Sequence, residues 1–180
     1  MAAIEILDES GIEAVTIRQV ARRVGVGHSA PANHFPHKQA LLTQLAINIF
    51  TELGSLIKSQ LQSAPEDLRE KIAVFANTLV EFGLAKPNQY RLLWRRDYLD
   101  NNNEELNGAM DVIYDELLET LASPKKSQVS VESKAIALWS MIQGYVSMRI
   151  DGNLQAKQDE VSGQDRQQAI IEVLLHGILS

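Results

Sequence analysis

The sequence has no cysteine. That excludes disulfides, thiolate zinc sites, iron–sulfur clusters and cysteine nucleophiles, and with them the small secreted disulfide scaffold. No stretch approaches the roughly 20 consecutive apolar residues that span a bilayer. The first residues carry acidic side chains and no basic leader, so they do not read as a signal peptide, and the expected location is a reduced cytoplasm. There is no GxGxxG or GxxxxGK[ST] nucleotide loop and no GxSxG nucleophile elbow. His34 and His37 stand three apart, but Phe35-Pro36 breaks helical facing between them and no carboxylate lies nearby in sequence, so no metal site is expected. His176 on an apolar helix reads as a packed or capped residue rather than a ligand, and the carboxylates of 104–116 read as a solvated face. The expectation is a protein that is not an enzyme and needs no cofactor.

What is present is 180 residues, 45% apolar and 22% charged, enough for a sizeable core and ordinary for a globular chain. No internal repeat is visible. The formal net charge is −6, from 17 basic and 23 acidic residues. It is unevenly shared. Between Thr16 and Lys38 lie Arg18, Arg22, Arg23 and Lys38 with no acidic residue, a charge of +4, while the remainder carries −10. His28, His34 and His37 fall in the same segment. Alone, this is compatible with a solvated basic face.

Strand alternation is scarce, glycine and proline are widely spaced, and apolar residues recur at helical spacing. The fold expected is all-α, with about nine helices. The first runs from Ala2 to about Glu9 and stops at Gly11. The second covers about Ile17 to Val24 with Thr16 as its N-cap. The third is short, about Ser29 to His34. The fourth is long, about Pro36 to Ser63. The fifth spans about Glu66 to Ala85, with Ile72, Phe75, Ala76, Leu79 and Phe82 on one face. The sixth starts at Asn88, the seventh covers about 103–122, the eighth about 130–150 and the ninth about 165–179. Asp151 to Gln164 reads as an exposed loop.

Helices two and three, joined by Gly25-Val26-Gly27, have the layout of a helix-turn-helix, in which the second helix enters the DNA major groove. Ile17, Val20, Ala21 and Val24 would face a small core with Ile4, Leu7, Val15 and Val26. The third helix is polar and small. Residues such as Ala30 let it sit deep in a groove, and Ser29, Asn33 and His34 can bond to base edges. A plain surface connector is also open. Lys38 tilts the balance, because the dipole at a helix start disfavours a cation. An ammonium beside free helix amides makes a phosphate-binding corner, and His37 can add charge to it. Thr16 at the start of helix two makes a second corner.

The body holds most of the ten aromatics. They form either a packed core or a ligand pocket lined by Phe75, Phe82, Tyr90, Trp94, Tyr114, Trp139 and Tyr145. Helix nine carries apolar residues round more than the roughly 100° stripe of a one-sided helix. Self-association through helices eight and nine, using Leu138, Ile142, Ile170, Val173, Leu174 and Ile178, is the economical solution. A fully buried final helix in a monomer is the other.

The run GIEAVTIRQVARRVGVGHSAPANHFPHKQALL resembles the DNA-binding headpiece of the tetracycline-repressor (TetR) family of bacterial regulators. The matching elements are Gly11, Thr16-Ile17, Val20-Ala21, Gly25-Val26, His34-Phe35, Lys38 and Leu41-Leu42. Ala30-Pro31, His34-Phe35-Pro36 and the pair Trp139 and Gly144 look like the subgroup with a WHG-type C-terminal domain. Ala32 stands where the family usually has Tyr, Gln143 where the subgroup has His, and the family usually has about ten more residues before Ala2.

The resemblance implies an N-terminal three-helix helix-turn-helix headpiece (1–45) on a larger ligand-binding and dimerisation bundle (46–180). It implies a ligand-responsive regulator, expected to be a repressor, that binds a near-palindromic operator as a homodimer, away from any membrane, and is released by a small-molecule inducer. Ser29, Ala30, Asn33 and His34 would then meet the bases, and Thr16, Arg18 and Lys38 the phosphates. The alternative is a helical small-molecule-binding or protein-interaction module that does not bind DNA.

Overall fold

The computed structural model describes residues 2–26, 35–122 and 129–179. Among these it shows eight α-helices: α1 (Ala2–Ser10), α2 (Ile17–Val24), α3 (Lys38–Ser63), α4 (Leu68–Ala85), α5 (Pro87–Leu93), α6 (Glu104–Leu121), α7 (Val131–Ile150) and α8 (Arg166–Leu179). Two single-turn 3-10 helices, Ile12–Ala14 and Arg96–Tyr98, join them. The architecture is all-α, as expected. The third helix expected from the sequence, about Ser29 to His34, lies outside the described residues.

Helix ends follow local chemistry. The Thr16 hydroxyl accepts the Gln19 amide at 3.1 Å and caps α2. Gly25 ends the same helix with φ 71 and ψ 25, a left-handed conformation that a side chain would strain, and the Val26 amide reaches back to the Ala21 carbonyl at 3.1 Å. Pro87 opens α5, where its missing donor costs nothing. Ser130 caps α7 by accepting the Ser133 amide at 3.1 Å. The predicted loop after α7 is irregular, with an isolated bridge between Gln158 and Asp165. Asp159 accepts from the Val161 and Ser162 amides, and these bonds hold its carboxyl below the usual aspartate range.

The chain divides into two compact units. The first comprises Met1–Gly54 and Lys86–Val112. Its core is built on the inner face of α3, from Leu41, Leu42, Leu45, Ile49, Phe50 and Leu53, with Leu7, Val15, Ala21, Leu92, Leu93 and Leu99 also buried. Asp100 donates its amide to the buried Thr43 hydroxyl at 2.9 Å, and Gln39 donates to the Leu99 carbonyl at 3.0 Å. The small core expected around α2 is only partly realised. Leu7, Val15 and Ala21 are buried, whereas Val24 and Val26 are 50% and 45% exposed. An eight-residue helix packed mainly on α1 cannot bury its whole apolar stripe.

The second unit comprises Ser55–Ala85 and Ile113–Ser180, with α4 packed on α7 and α8. The predicted face of α4 is buried in full: Ile72, Phe75, Ala76, Leu79 and Phe82. It meets a core that includes Ala135, Leu138, Ile142, Tyr145 and Val146 of α7 and Ile171, Leu174, Leu175 and Ile178 of α8. Polar ties flank it. Arg69 pairs with Glu172, and Gln167 and Gln168 donate to Asn77 at 2.9 and 3.0 Å.

Among the described residues, α3 has the length and mean hydropathy of a membrane span, although it holds no run of about 20 consecutive apolar residues. Its most apolar window is 56% buried inside the protein, the pattern of a core helix.

Candidate nucleic-acid interface

The sequence places a cationic segment between Thr16 and Lys38, and the structure describes both of its ends. At the first end, the Thr16 oxygen is committed to the Gln19 amide. A hydroxyl has one donor besides its lone pairs, so its proton remains available to an outside acceptor. Arg18 is exposed in the first turn of α2. Ser29, Ala30, Asn33 and His34, the expected base-reading residues, lie outside the described residues.

At the other end, Lys38 is the first residue of α3. Its ammonium donates to the Glu13 carbonyl and the Glu13 carboxylate, both at 3.2 Å. The His37 Nδ1 accepts the Ala40 amide at 3.2 Å, so the imidazole caps the first turn of α3.

The four cations of the segment therefore fall into two classes. Arg23 forms ion pairs with Glu9 at 2.6 Å and Glu5 at 3.4 Å, clasping α2 to α1. The Arg23 guanidinium holds the Glu9 carboxyl below the usual glutamate range, and Glu9 in turn raises Arg23. Lys38 is paired with Glu13. Arg18 and Arg22 have no ion-pair partner among the described residues. Counting charge along the sequence missed these pairings, because Glu5, Glu9 and Glu13 all lie before the segment.

A second polar cluster ties α1 to α5. Gln89 donates to the two Asp8 carboxylate oxygens at 3.0 and 2.9 Å, and Asn88 donates to the Asp8 carbonyl at 3.0 Å. Tyr98, in the 3-10 turn after α5, donates to the Glu13 carboxylate. Its ring lies 5.5 Å from the Lys38 ammonium and 4.4 Å from the Arg95 guanidinium. Arg95 is chelated by Asp97 at 2.9 and 2.8 Å, which lowers the Asp97 carboxyl. No signal in the sequence pointed to Gln89 or Tyr98.

The seven expected pocket aromatics are divided. Tyr90 and Trp94 belong to the first unit, with their rings edge-on at 5.8 Å. Burial pushes the Tyr90 phenol well above its ordinary range. The other five belong to the second unit. Phe75, Phe82 and Tyr145 are buried there, and Tyr114 and Trp139 are half-buried. Tyr145 lines a cleft of about 370 Å³ whose other walls include Arg149, Lys157 and Arg166. Arg149 donates to the Tyr145 hydroxyl at 2.8 Å. A second cleft of about 520 Å³, lined by Lys58, Lys71, Glu116 and Glu119 among others, contains none of the seven.

Of the six expected dimer residues, Leu138, Ile142, Leu174 and Ile178 are buried within the second unit. Val173 is 67% exposed and Ile170 is half-buried. Helical spacing missed this split because both helices also pack on α4, which claims one of their two apolar faces.

Two family models match. Residues 1–45 match that of bacterial regulatory proteins of the tetR family, and residues 72–177 match the tetracyclin repressor-like C-terminal domain. No curated protein sequence matches the chain. Several solved structures share the fold. A protein of unknown function from Rhodococcus sp. RHA1 is 24% identical with a TM-score of 0.82, covering 97% of this chain and 90% of that one. The TetR family transcriptional regulator PfmR from Thermus thermophilus is 18% identical with a TM-score of 0.68, covering 99% and 94%. The transcriptional regulator FadR from Bacillus subtilis, solved in complex with stearoyl-CoA, is 16% identical with a TM-score of 0.69, covering 99% and 95%. With one model on its helix-turn-helix region and another on more than half its length, the chain belongs to the tetR family of bacterial regulatory proteins.

Proposed function

We propose that this chain is a ligand-responsive repressor that binds a near-palindromic operator as a homodimer and leaves it when a small molecule binds the body. The observation that carries this reading is the pair of helix starts at the ends of the cationic segment. Thr16 caps α2 with a hydroxyl proton to spare, and Lys38 sets an ammonium on the first turn of α3. Thr16, Arg18 and Lys38 are assigned to phosphates. Ser29, Asn33 and His34 are assigned to base edges, with Ala30 permitting close approach. Two such headpieces would meet half-sites about 34–36 Å apart, or a multiple of that. We assign the headpiece to residues 1–45 and the ligand-binding and dimerisation body to 46–180, working in the cytoplasm.

For the dimer, the outward residues of α7 and α8 supply the surface. Ile136 is 57% exposed, and Ala137, Ser140, Gly144 and Ser147 follow it at helical spacing. On α8, Ala169, Val173 and Gly177 are spaced four apart. This face is built mostly of small residues, with Ser140 and Ser147 its polar members, and suits close helix packing across a two-fold axis. Leu138, Ile142, Leu174 and Ile178 support it from behind, while Val173 and Ile170 take part directly. Trp139 and Gly144 also carry the WHG-type likeness.

A ligand can dismiss DNA only through unequal affinity for two arrangements of the protein. The helix α3, which contributes residues to both units, is the natural lever. A regulator of the same fold has been solved with stearoyl-CoA, so acyl thioesters are the first ligand class to try. The test is a mobility shift of the full chain on the intergenic DNA upstream of its own gene. A salt-sensitive shift that a ligand abolishes is expected. No shift at low salt would favour a binding module without DNA recognition.

A further inference from the structure

Lys38 is the side chain on which the proposed phosphate grip most depends, and its ammonium is already engaged. An ammonium has three donors, and Glu13 takes contacts from it through both its carbonyl and its carboxylate Oε2, each at 3.2 Å. Glu13 sits in the short turn between α1 and α2, with its side chain 74% exposed. An exposed carboxylate would ordinarily wander among rotamers. Here a second contact restrains it, because its other oxygen, Oε1, accepts from the Tyr98 hydroxyl. Tyr98 is itself gripped, with Arg95 stacked 4.4 Å from its ring and Asp97 fixing Arg95. The carboxylate is thus held by Tyr98 through one oxygen and meets Lys38 through the other.

We infer that Glu13 is a built-in competitor for Lys38. Its carboxylate occupies the place a DNA phosphate would take, and Tyr98 holds it there. The inference rests on the reading of Lys38 as a phosphate contact. A phosphate oxygen reaching Lys38 must displace the carboxylate or share the ammonium with it. Sharing brings two anions together. Displacement costs an ion pair and leaves Glu13 facing the phosphate chain. Either way the intrinsic affinity of the headpiece for DNA is set lower than its cations would give. Because the pair is exposed to water, its effect is modest, about two- to fivefold in an equilibrium constant.

Phosphate contacts are indifferent to base sequence, so no operator is needed for the test. The full chain and its variants are titrated against a random-sequence duplex of roughly 30 base pairs, at roughly 50 mM and 200 mM salt, by fluorescence anisotropy. Glu13→Gln keeps the side chain's size and removes its charge. It is expected to tighten binding about two- to fivefold at low salt, with the gain shrinking at high salt. Tyr98→Phe should tighten binding by a smaller factor, because the carboxylate remains but is no longer held. In a Lys38→Ala background, Glu13→Gln should gain much less, which localises the effect to that ammonium.

Three results overturn the inference. Glu13→Gln could leave affinity unchanged or weaken it while Lys38→Ala weakens it, making Glu13 a bystander or a positioning residue for Lys38. Glu13→Gln could gain equally with and without Lys38, making the effect one of net charge alone. Lys38→Ala could leave affinity unaltered, in which case the phosphate assignment fails first and the competition falls with it.

Discussion

The two ends of this chain are held together by different physics. In the second unit, α4, α7 and α8 meet through a continuous apolar core from Ile72 and Phe75 to Leu174 and Ile178. Residues 2–26 bury only Ala3, Ile6, Leu7, Val15 and Ala21 as apolar groups. Their remaining attachments are polar: Arg23 to Glu5 and Glu9, Asp8 to Asn88 and Gln89, and Glu13 to Lys38 and Tyr98. Apolar burial has no charge to be screened, while exposed ion pairs are screened. Attachment of the front therefore leans on contacts that salt weakens, and the body, despite the Arg69–Glu172 pair, leans mainly on contacts that it does not.

The largest test of the contrast is removal of a body core residue. Phe75→Ala should destabilise the protein by about 3–5 kcal/mol, measured as a lower midpoint in urea, with little change in that loss between low and high salt. A loss that salt abolishes would break the comparison.

The next lies at alkaline pH. Burial raises the Tyr90 phenol, so the folded state resists its ionisation while the unfolded chain ionises near the ordinary value. Its contribution is fully present below about pH 10 and is lost as pH climbs toward the raised folded value, at up to about 1.4 kcal/mol per pH unit. Tyr90→Phe should flatten the wild-type decline in melting temperature above pH 10. An unchanged decline would show that Tyr90 is not the group responsible.

Smaller still is the cap of α2. Thr16→Ala removes an acceptor from the Gln19 amide and should cost about 1 kcal/mol. The loss should appear as faster hydrogen exchange in α2 with α7 and α8 unaffected. Equal acceleration in both units would mean that the front and body open together.

The smallest effect is the Arg23 clasp. Glu9 is held below its ordinary value, so the clasp is present above the ordinary glutamate range and is lost as pH falls through the lowered folded value. Acidification or Arg23→Ala should speed exchange in α2 slightly, and after Arg23→Ala the acid sensitivity of α2 should be reduced. Retention of the full acid response in Arg23→Ala would assign it elsewhere.

How much of this could be read in the sequence follows from the range of each interaction. The ends of α2 were legible because Thr16, Gly25 and one apolar stripe decide them within ten residues. The buried face of α4 was legible because its spacing alone selects Ile72, Phe75, Ala76, Leu79 and Phe82. The charge segment was legible only as composition. Glu13 and Lys38 are 25 residues apart and Glu13 and Tyr98 are 85 apart, so no local pattern announces their meeting. The role of His37 as a cap depended on where α3 begins, two residues later than Pro36 suggested. The aromatics were grouped by composition, and the chain distributes them over two units. The two faces of α8 were visible, but which one α4 would claim was not.

If cations between Thr16 and Lys38 engage DNA phosphates while the acidic remainder stays clear, the slope of log affinity against log salt for the wild-type chain on duplex DNA reports it. A steep negative slope worth several phosphate contacts is expected, shallower by about one contact in Lys38→Ala. Affinity independent of salt, or no binding even at low salt, would contradict it.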